Sequence, residues 1–307
     1  MNARRLVPAF GLASLVLGLI TIPATAATAN GTQQAAACQL DLGAMNQEYG
    51  LQRQQITAGN PPSVQPMEEL VAKAFPNMQV RQTSSWVREP NIAGFDYYGK
   101  VTLGASMYSA VYRSDTPDAG VTLTKIGGGW DAFSNYEESR YDEGARPGSQ
   151  AHTFEYGLRT DGLLFRWQLI GGKWVGKSSS AGFASVKTMA LISQTRGYDT
   201  FLANTHGGAL YTIRIPVSSP LKPIVTKVRG STWQAFDRLI AERCGQYGTL
   251  LLGVDWETQA SYLYAVGDAN GTSTVINGLG KVPGLQNSGM NFRWTGVAFA
   301  NPPLNGD

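Results

Sequence analysis

"GGWDAF" (Gly128–Phe133), "AGFASV" (Ala181–Val186) and "STWQAF" (Ser231–Phe236) are three renderings of one short phrase, with "PGLQNS" (Pro283–Ser288) as a worn fourth. The aromatic anchors Trp130, Phe183 and Trp233 stand 53 and 50 residues apart. A second landmark keeps the same beat. The strand-like runs "MYSAVYR" (Met107–Arg113), "LFRWQL" (Leu164–Leu169), "LYTIRI" (Leu210–Ile215) and "YLYAV" (Tyr262–Val266) set Tyr108, Phe165, Tyr211 and Tyr264 at spacings of 57, 46 and 53. A third landmark precedes three of these runs: "TFEYGLRTDG" (Thr153–Gly162), "TFLANTHGG" (Thr200–Gly208) and "TLLLGVDWE" (Thr249–Glu257).

Each unit thus holds several short strands separated by Gly, Asn, Asp and Pro turns. A period near fifty made only of strands predicts an all-β fold, a β-propeller in which each repeat is one four-stranded antiparallel sheet. No unit buries both faces alone, so neighbouring sheets must stack to make the core. The run "NFRWTGVAFANPP" (Asn291–Pro303) reads as a repeat that stops early, and "QVRQTSSWVREP" (Gln79–Pro90) supplies strands to complete it. Four units and one composite unit predict five blades over residues 79–307, closed by strands from both ends. Residues 30–78 read as an N-terminal extension. Within it "PMEELVAKAF" (Pro66–Phe75) has Pro in a first turn, two early acids and apolar residues at helical spacing, which predicts one short helix.

One stretch challenges this frame. "GGKWVGKS" (Gly171–Ser178) fits G-x-x-x-x-G-K-[ST], the phosphate-cradling loop. That loop works only where a strand precedes it and a helix opens directly after it, because the helix N-terminus supplies free N–H groups. Here "SSAGFASV" (Ser179–Val186) follows, with three serines, a glycine and a β-branched residue, which is poor helix material. Trp174 and Val175 suit a strand. The stretch is read as a hairpin connection, with no nucleotide bound.

The N-terminus sets the compartment. Arg4 and Arg5, an apolar run from Leu6 to Ile22, then Pro23 and "ATAATA" (Ala24–Ala29) form a three-part secretory signal over residues 1–29, cleaved after Ala26 or Ala29. An uncleaved membrane anchor is the other reading of the same run. Among 307 residues, 25 are Lys or Arg and 22 Asp or Glu; without Arg4 and Arg5 the balance is 23 to 22, a net charge of +1. That leaves no basic field for nucleic acid and no polybasic membrane patch. The 36 glycines and 15% charged residues suit a turn-rich β protein. Cys38 and Cys244 are the only cysteines, and an even count in an exported chain predicts a bridge between them. Two histidines without ligand spacing argue against zinc, and no D-x-[DN]-x-[DN]-G loop is present, so neither metal nor cofactor is expected.

At "TKIGGGWDAF" (Thr124–Phe133) the chain resembles the tachylectin family of β-propeller lectins, whose repeats carry I-G-x-G-G-W-D-x-F followed by an L-Y-A-V strand. Ile126, Gly127, Gly129, Trp130, Asp131 and Phe133 fall on the first element, and "YLYAV" (Tyr262–Val266) on the second. Trp233 and Phe236 keep the aromatic positions, with Gln234 in place of the aspartate. The resemblance implies glycan partners, with sites for N-acetylated hexosamines at Trp130, Asp131, Phe133, Trp233 and Phe236. Chemistry agrees: sugar rings offer apolar C–H faces to indole, while their hydroxyl and acetamide groups need fixed polar partners. These rings also have a packing role open to them, filling the space between sheets. Two alternatives stand beside the secreted monomeric lectin. One is a non-catalytic envelope or protein-binding propeller. The other is a glycosidase, which needs two carboxylates facing each other across a pocket, drawn from Asp96, Glu155, Asp199 and Asp255. No G-x-S-x-G or zinc motif supports an enzyme.

Overall fold

The computed structural model describes residues 37–46, 48–75, 80–144, 148–171, 173–285, 290–296 and 303–307. The expected secretory leader lies outside the described residues. Twenty-two strands occur among them: β1 (Gln39–Met45), β2 (Leu51–Thr57), β3 (Ser63–Val64), β4 (Glu68–Val71), β5 (Val80–Gln82), β6 (Ser85–Pro90), β7 (Phe95–Leu103), β8 (Ser106–Arg113), β9 (Thr122–Gly128), β10 (Phe133–Asp142), β11 (Ala151–Arg159), β12 (Leu164–Ile170), β13 (Lys173–Ser180), β14 (Val186–Gln194), β15 (Tyr198–Thr205), β16 (Leu210–Pro216), β17 (Ile224–Arg229), β18 (Arg238–Cys244), β19 (Gly248–Asp255), β20 (Ala260–Val266), β21 (Ile276–Lys281) and β22 (Asn291–Thr295).

Three stretches form four-stranded antiparallel meanders, β10 to β13, β14 to β17 and β18 to β21. A fourth meander, β6 to β9, belongs to a larger mixed sheet of order β3-β2-β1-β22-β6-β7-β8-β9, with β4 added to β2 and β5 to β7. In that sheet β22 runs antiparallel to β1, with Gly43 opposite Phe292, and parallel to β6, with Trp294 opposite Trp86. Strands β1 to β4 therefore come from the segment expected as an extension.

Burial follows a gradient across each meander. The second strands β15 and β19 are buried at every position but their first, whereas the fourth strands β13, β17 and β21 are mostly exposed. A strand covered on both faces needs continuous apolar sequence, and "TLLLGV" in β19 supplies it. The first strands adjoin in series, β10 to β14, β14 to β18, β18 to β22 and β22 to β6. The Glu138 N–H donates to Ser84 Oγ at 3.1 Å and joins β10 back to the start of β6. This closed, β-propeller-like arrangement stacks sheet on sheet. Its aromatic phrases sit in the connections entering each new sheet: Trp130 before β10, Phe183 before β14, Trp233 before β18.

The expected helix is absent. Glu68–Val71 form β4, paired with β2 so that Leu51 faces Val71 and Arg53 faces Glu68. A ten-residue helix is marginal on its own, and the free edge of β2 offers hydrogen bonds plus an Arg53–Glu68 contact of 3.5 Å. Phe75, at the end of the helical pattern, is buried against Trp86 at 6.2 Å between ring centroids.

The Cys38–Cys244 bridge is formed, with Cα atoms 5.3 Å apart. It ties the start of β1 to the end of β18 across 206 residues of sequence. Chain-entropy arguments put the stabilisation from closing so long a loop at about 5 kcal/mol.

Candidate functional site

The junction between β6–β9 and β10–β13 is open toward solvent. A cleft of ≈ 1100 Å³ runs through it. On one side lie Tyr98 and Lys100 of β7, Ser109 of β8, and Thr124, Lys125 and Ile126 of β9. Lys100, Ser109 and Thr124 are neighbours across adjacent strands, so they form one polar row. On the other side Trp167 and Leu169 of β12 and Trp174, Val175 and Lys177 of β13 form an apolar wall with a cationic rim.

That wall is a stack of rings. Trp167 and Trp174 lie 5.6 Å apart at 28°, and Phe165 and Trp167 lie 5.5 Å apart at 16°. Trp130 supports them from behind, 5.6 Å from Trp167 and 5.5 Å from Trp174, and packs on Phe133 at 4.5 Å. Gly157 makes room for this layer: a Cβ there would lie 2.8 Å from the Phe133 ring. Arg166 and Ser178 pair across β12 and β13, as do Gln168 and Val175, so Gly176 and Lys177 together oppose the single residue Trp167. Gly176 has φ +62°, the left-handed conformation of the first residue of a glycine bulge. The bulge places Lys177 Nζ 4.7 Å from the Phe165 ring centroid. The phosphate-loop lookalike is thus a turn residue, a bulged outer strand and half of a cleft wall.

The inner end of the cleft is closed by buried charge. Glu138 and Glu155 are directly opposite on β10 and β11, and Lys100 reaches across from β7 to both, bonding Glu138 and lying 2.9 Å from Glu155. Arg140 also pairs with Glu138, and the Tyr136 hydroxyl donates to Glu155. Burial, with the Glu138 charge beside it, pushes the Glu155 carboxyl up to about 7. Burial acts on Glu138 in the same sense, but Lys100 and Arg140 outweigh it and hold that carboxyl well below the usual range. Burial disfavours the Lys100 ammonium, yet the two glutamates keep it charged, above its ordinary value.

The residues singled out from sequence divide sharply. Trp130 is 2% exposed, so it is a prop beneath the wall and not its surface. Phe133 lies in the same layer. Asp131 is exposed in the turn before β10; its carbonyl accepts from Arg81 at 3.4 Å, and it does not line the cleft. Trp233 and Phe236 form the corresponding layer between β14–β17 and β18–β21, with Trp233 4.9 Å from Tyr264, and both are buried. Sequence reasoning missed Trp167, Trp174 and Lys100 as cleft residues. The available signal was Trp174, the tryptophan inside the "GGKWVGKS" oddity.

The four carboxylates weighed for hydrolysis do not gather. Asp96 accepts from Asn91 at 2.7 Å and from Tyr98 at 2.9 Å. Asp255 caps its turn through the N–H groups of Glu257 and Thr258. Asp199 is fully buried and accepts from Ser139 and Tyr156, each at 2.7 Å. Glu155 is fully buried in the Lys100 network. Each is spent on structure.

No family model matches the chain, and no curated protein matches it. Among solved structures it is similar to the Aleuria aurantia lectin in complex with α-methyl-L-fucoside, at 12% identity and a TM-score of 0.43, over 80% of this chain and 78% of that one. It is also similar to the SapL1 lectin in complex with α-methyl fucoside, at 10% identity and a TM-score of 0.39, over 81% and 97%. A third, the fission yeast SREBP–SCAP binding domains, aligns at 7% identity and a TM-score of 0.32, over 78% and 77%. The tachylectin resemblance therefore rests on its sequence motifs.

Proposed function

We propose that this chain is a secreted, monomeric carbohydrate-binding propeller and that its sugar site is the cleft between β6–β9 and β10–β13. The observation that carries the reading is the Trp167–Trp174 wall facing the Ser109–Thr124 row across an open space. A wide aromatic surface opposite a few hydroxyl groups is the combination a pyranose needs: one face for its C–H groups and donors and acceptors for its edge. The ring has five blades in this reading, the fifth built from β22, β1, β2 and the short strands beyond. Residues 1–29 are its cleaved leader, and the chain from Cys38 onward is the folded protein. The N-acetylhexosamine preference implied by the tachylectin motifs enters as one arm of the test.

A glycan array on the mature protein, with N-acetylated hexosamines, fucosides and other sugars side by side, tests the reading. Trp174→Ala should abolish the strongest signals, and a thermal melt checks that the sheet survives. Asp131→Asn, at the motif aspartate outside the cleft, should leave them intact. Loss of binding in Asp131→Asn with Trp174→Ala unaffected would move the site to the motif turn.

A further inference from the structure

We infer that the cleft is built for an acidic glycan, a sugar bearing carboxylate or sulfate groups, a reading that rests on the carbohydrate function proposed above. The argument is one of local charge. Lys125, Lys173 and Lys177 line the open part of the cleft, and no carboxylate lies within ion-pair distance of any of them among the described residues. The other cations there, Lys100 and Arg140, are already engaged by Glu138 and Glu155. Glu89 is the single acid on the lining. The excess is not a property of the whole protein, whose basic and acidic residues nearly cancel. Three lysines without a carboxylate partner thus line one cleft, and one of them, Lys177, is held against its aromatic wall.

Their placement suits a charged sugar better than a generic anion. The Gly176 bulge fixes Lys177 over Phe165 and 6.0 Å from the Trp167 ring, beside the surface on which a sugar's C–H face would rest. A carboxylate or sulfate at the edge of a ring stacked on the Trp167–Trp174 wall would lie beside Lys177. Exposed lysine–anion pairs are individually weak, so the preference must come from several acting together and must fade with salt.

The test compares the full mature chain's affinity for hyaluronan and heparin oligosaccharides, neutral chito-oligosaccharides of equal length, and polyglutamate. The acidic sugars should bind about tenfold tighter than the neutral ones, an advantage that about 0.5 M salt should largely erase. Lys173→Gln with Lys177→Gln should remove the same advantage while leaving the melting temperature unchanged. Binding of one acidic series and not the other names the group as carboxylate or sulfate. Neutral sugars binding as tightly as acidic ones would overturn this inference alone. Polyglutamate binding as tightly as hyaluronan would also overturn it, by showing that charge suffices without a sugar. No sugar binding at all would sink both this inference and the carbohydrate function.

Discussion

Two neighbouring junctions of this ring share the sheet β10–β13 and are filled in opposite ways on its two faces. Between β10–β13 and β14–β17, Tyr156 meets Phe201 edge-on at 4.8 Å amid Leu158, Met189, Ile213 and Ile215. The buried charged groups there are partnered. Asp199 takes the hydroxyls of Ser139 and Tyr156, and the buried Arg166 donates to the carbonyls of Pro216 and Ser218 at 2.6 and 2.9 Å. One junction earlier, Glu155 faces the preceding sheet and meets Lys100, and the space beyond them is open. A buried ion network is often no more stabilising than an apolar core of the same volume, so the first junction gains little stability from its charges. What it gains is a polar, fixed end wall for a cleft. Stability and the proposed sugar site fall to different seams.

The contrast is broken most severely at Lys100. Lys100→Met leaves Glu138 and Glu155 side by side without their shared cation, and the expected loss is about 3–5 kcal/mol in denaturant unfolding. A loss under about 1 kcal/mol would mean that the network is solvated and the end wall is not rigid.

A smaller effect appears with pH. The Glu155 carboxyl is raised in the folded state to about 7, and so is Glu137, where burial outweighs Arg238 at 3.5 Å. A raised carboxyl binds its proton more tightly folded than unfolded. Its stabilisation is complete below the unfolded value near 4.5 and is lost as pH climbs through about 7. Glu138, held low, acts in the opposite sense and only below that window. Each tenfold gain in proton affinity on folding is worth about 1.4 kcal/mol, so unfolding free energy should fall by a few kcal/mol between about pH 5 and pH 8. Glu155→Gln should remove part of that slope, leaving the share due to Glu137. A flat profile in the native protein would contradict the buried acids.

The dry seam gives the smallest change. Tyr156→Phe keeps the ring on Phe201 and deletes one hydrogen bond to Asp199, so about 1–2 kcal/mol should be lost, with no effect on sugar binding. Altered glycan affinity in that variant would show that the two seams are coupled.

Sequence disclosed the repeat because anchors such as Trp130, Phe183 and Trp233 occupy the same connection in successive sheets, and spacing along the chain is preserved by folding. It disclosed the Cys38–Cys244 bridge because only one pairing exists. It did not disclose which rings meet solvent. Trp130 and Trp174 stand 5.5 Å apart in one cluster, and burial is decided by what packs above them, not by local pattern. The Lys100–Glu155 contact joins positions on different sheets, which no period reveals. The helix expected at Pro66–Phe75 fails for the same reason: the local pattern fits a helix, and the waiting edge of β2 overrides it.

The placement of β22 has a consequence for the order of events during synthesis. It fills a slot between β1 and β6, strands translated some two hundred residues earlier. Until Asn291–Thr295 emerges, both flanks of the slot are unpaired strand edges, with Trp86 lacking the Phe292 and Trp294 rings that cover it in the finished ring. The nascent chain must therefore carry an adhesive groove until β22 emerges. Shielding it until then falls to whatever attends the chain during synthesis.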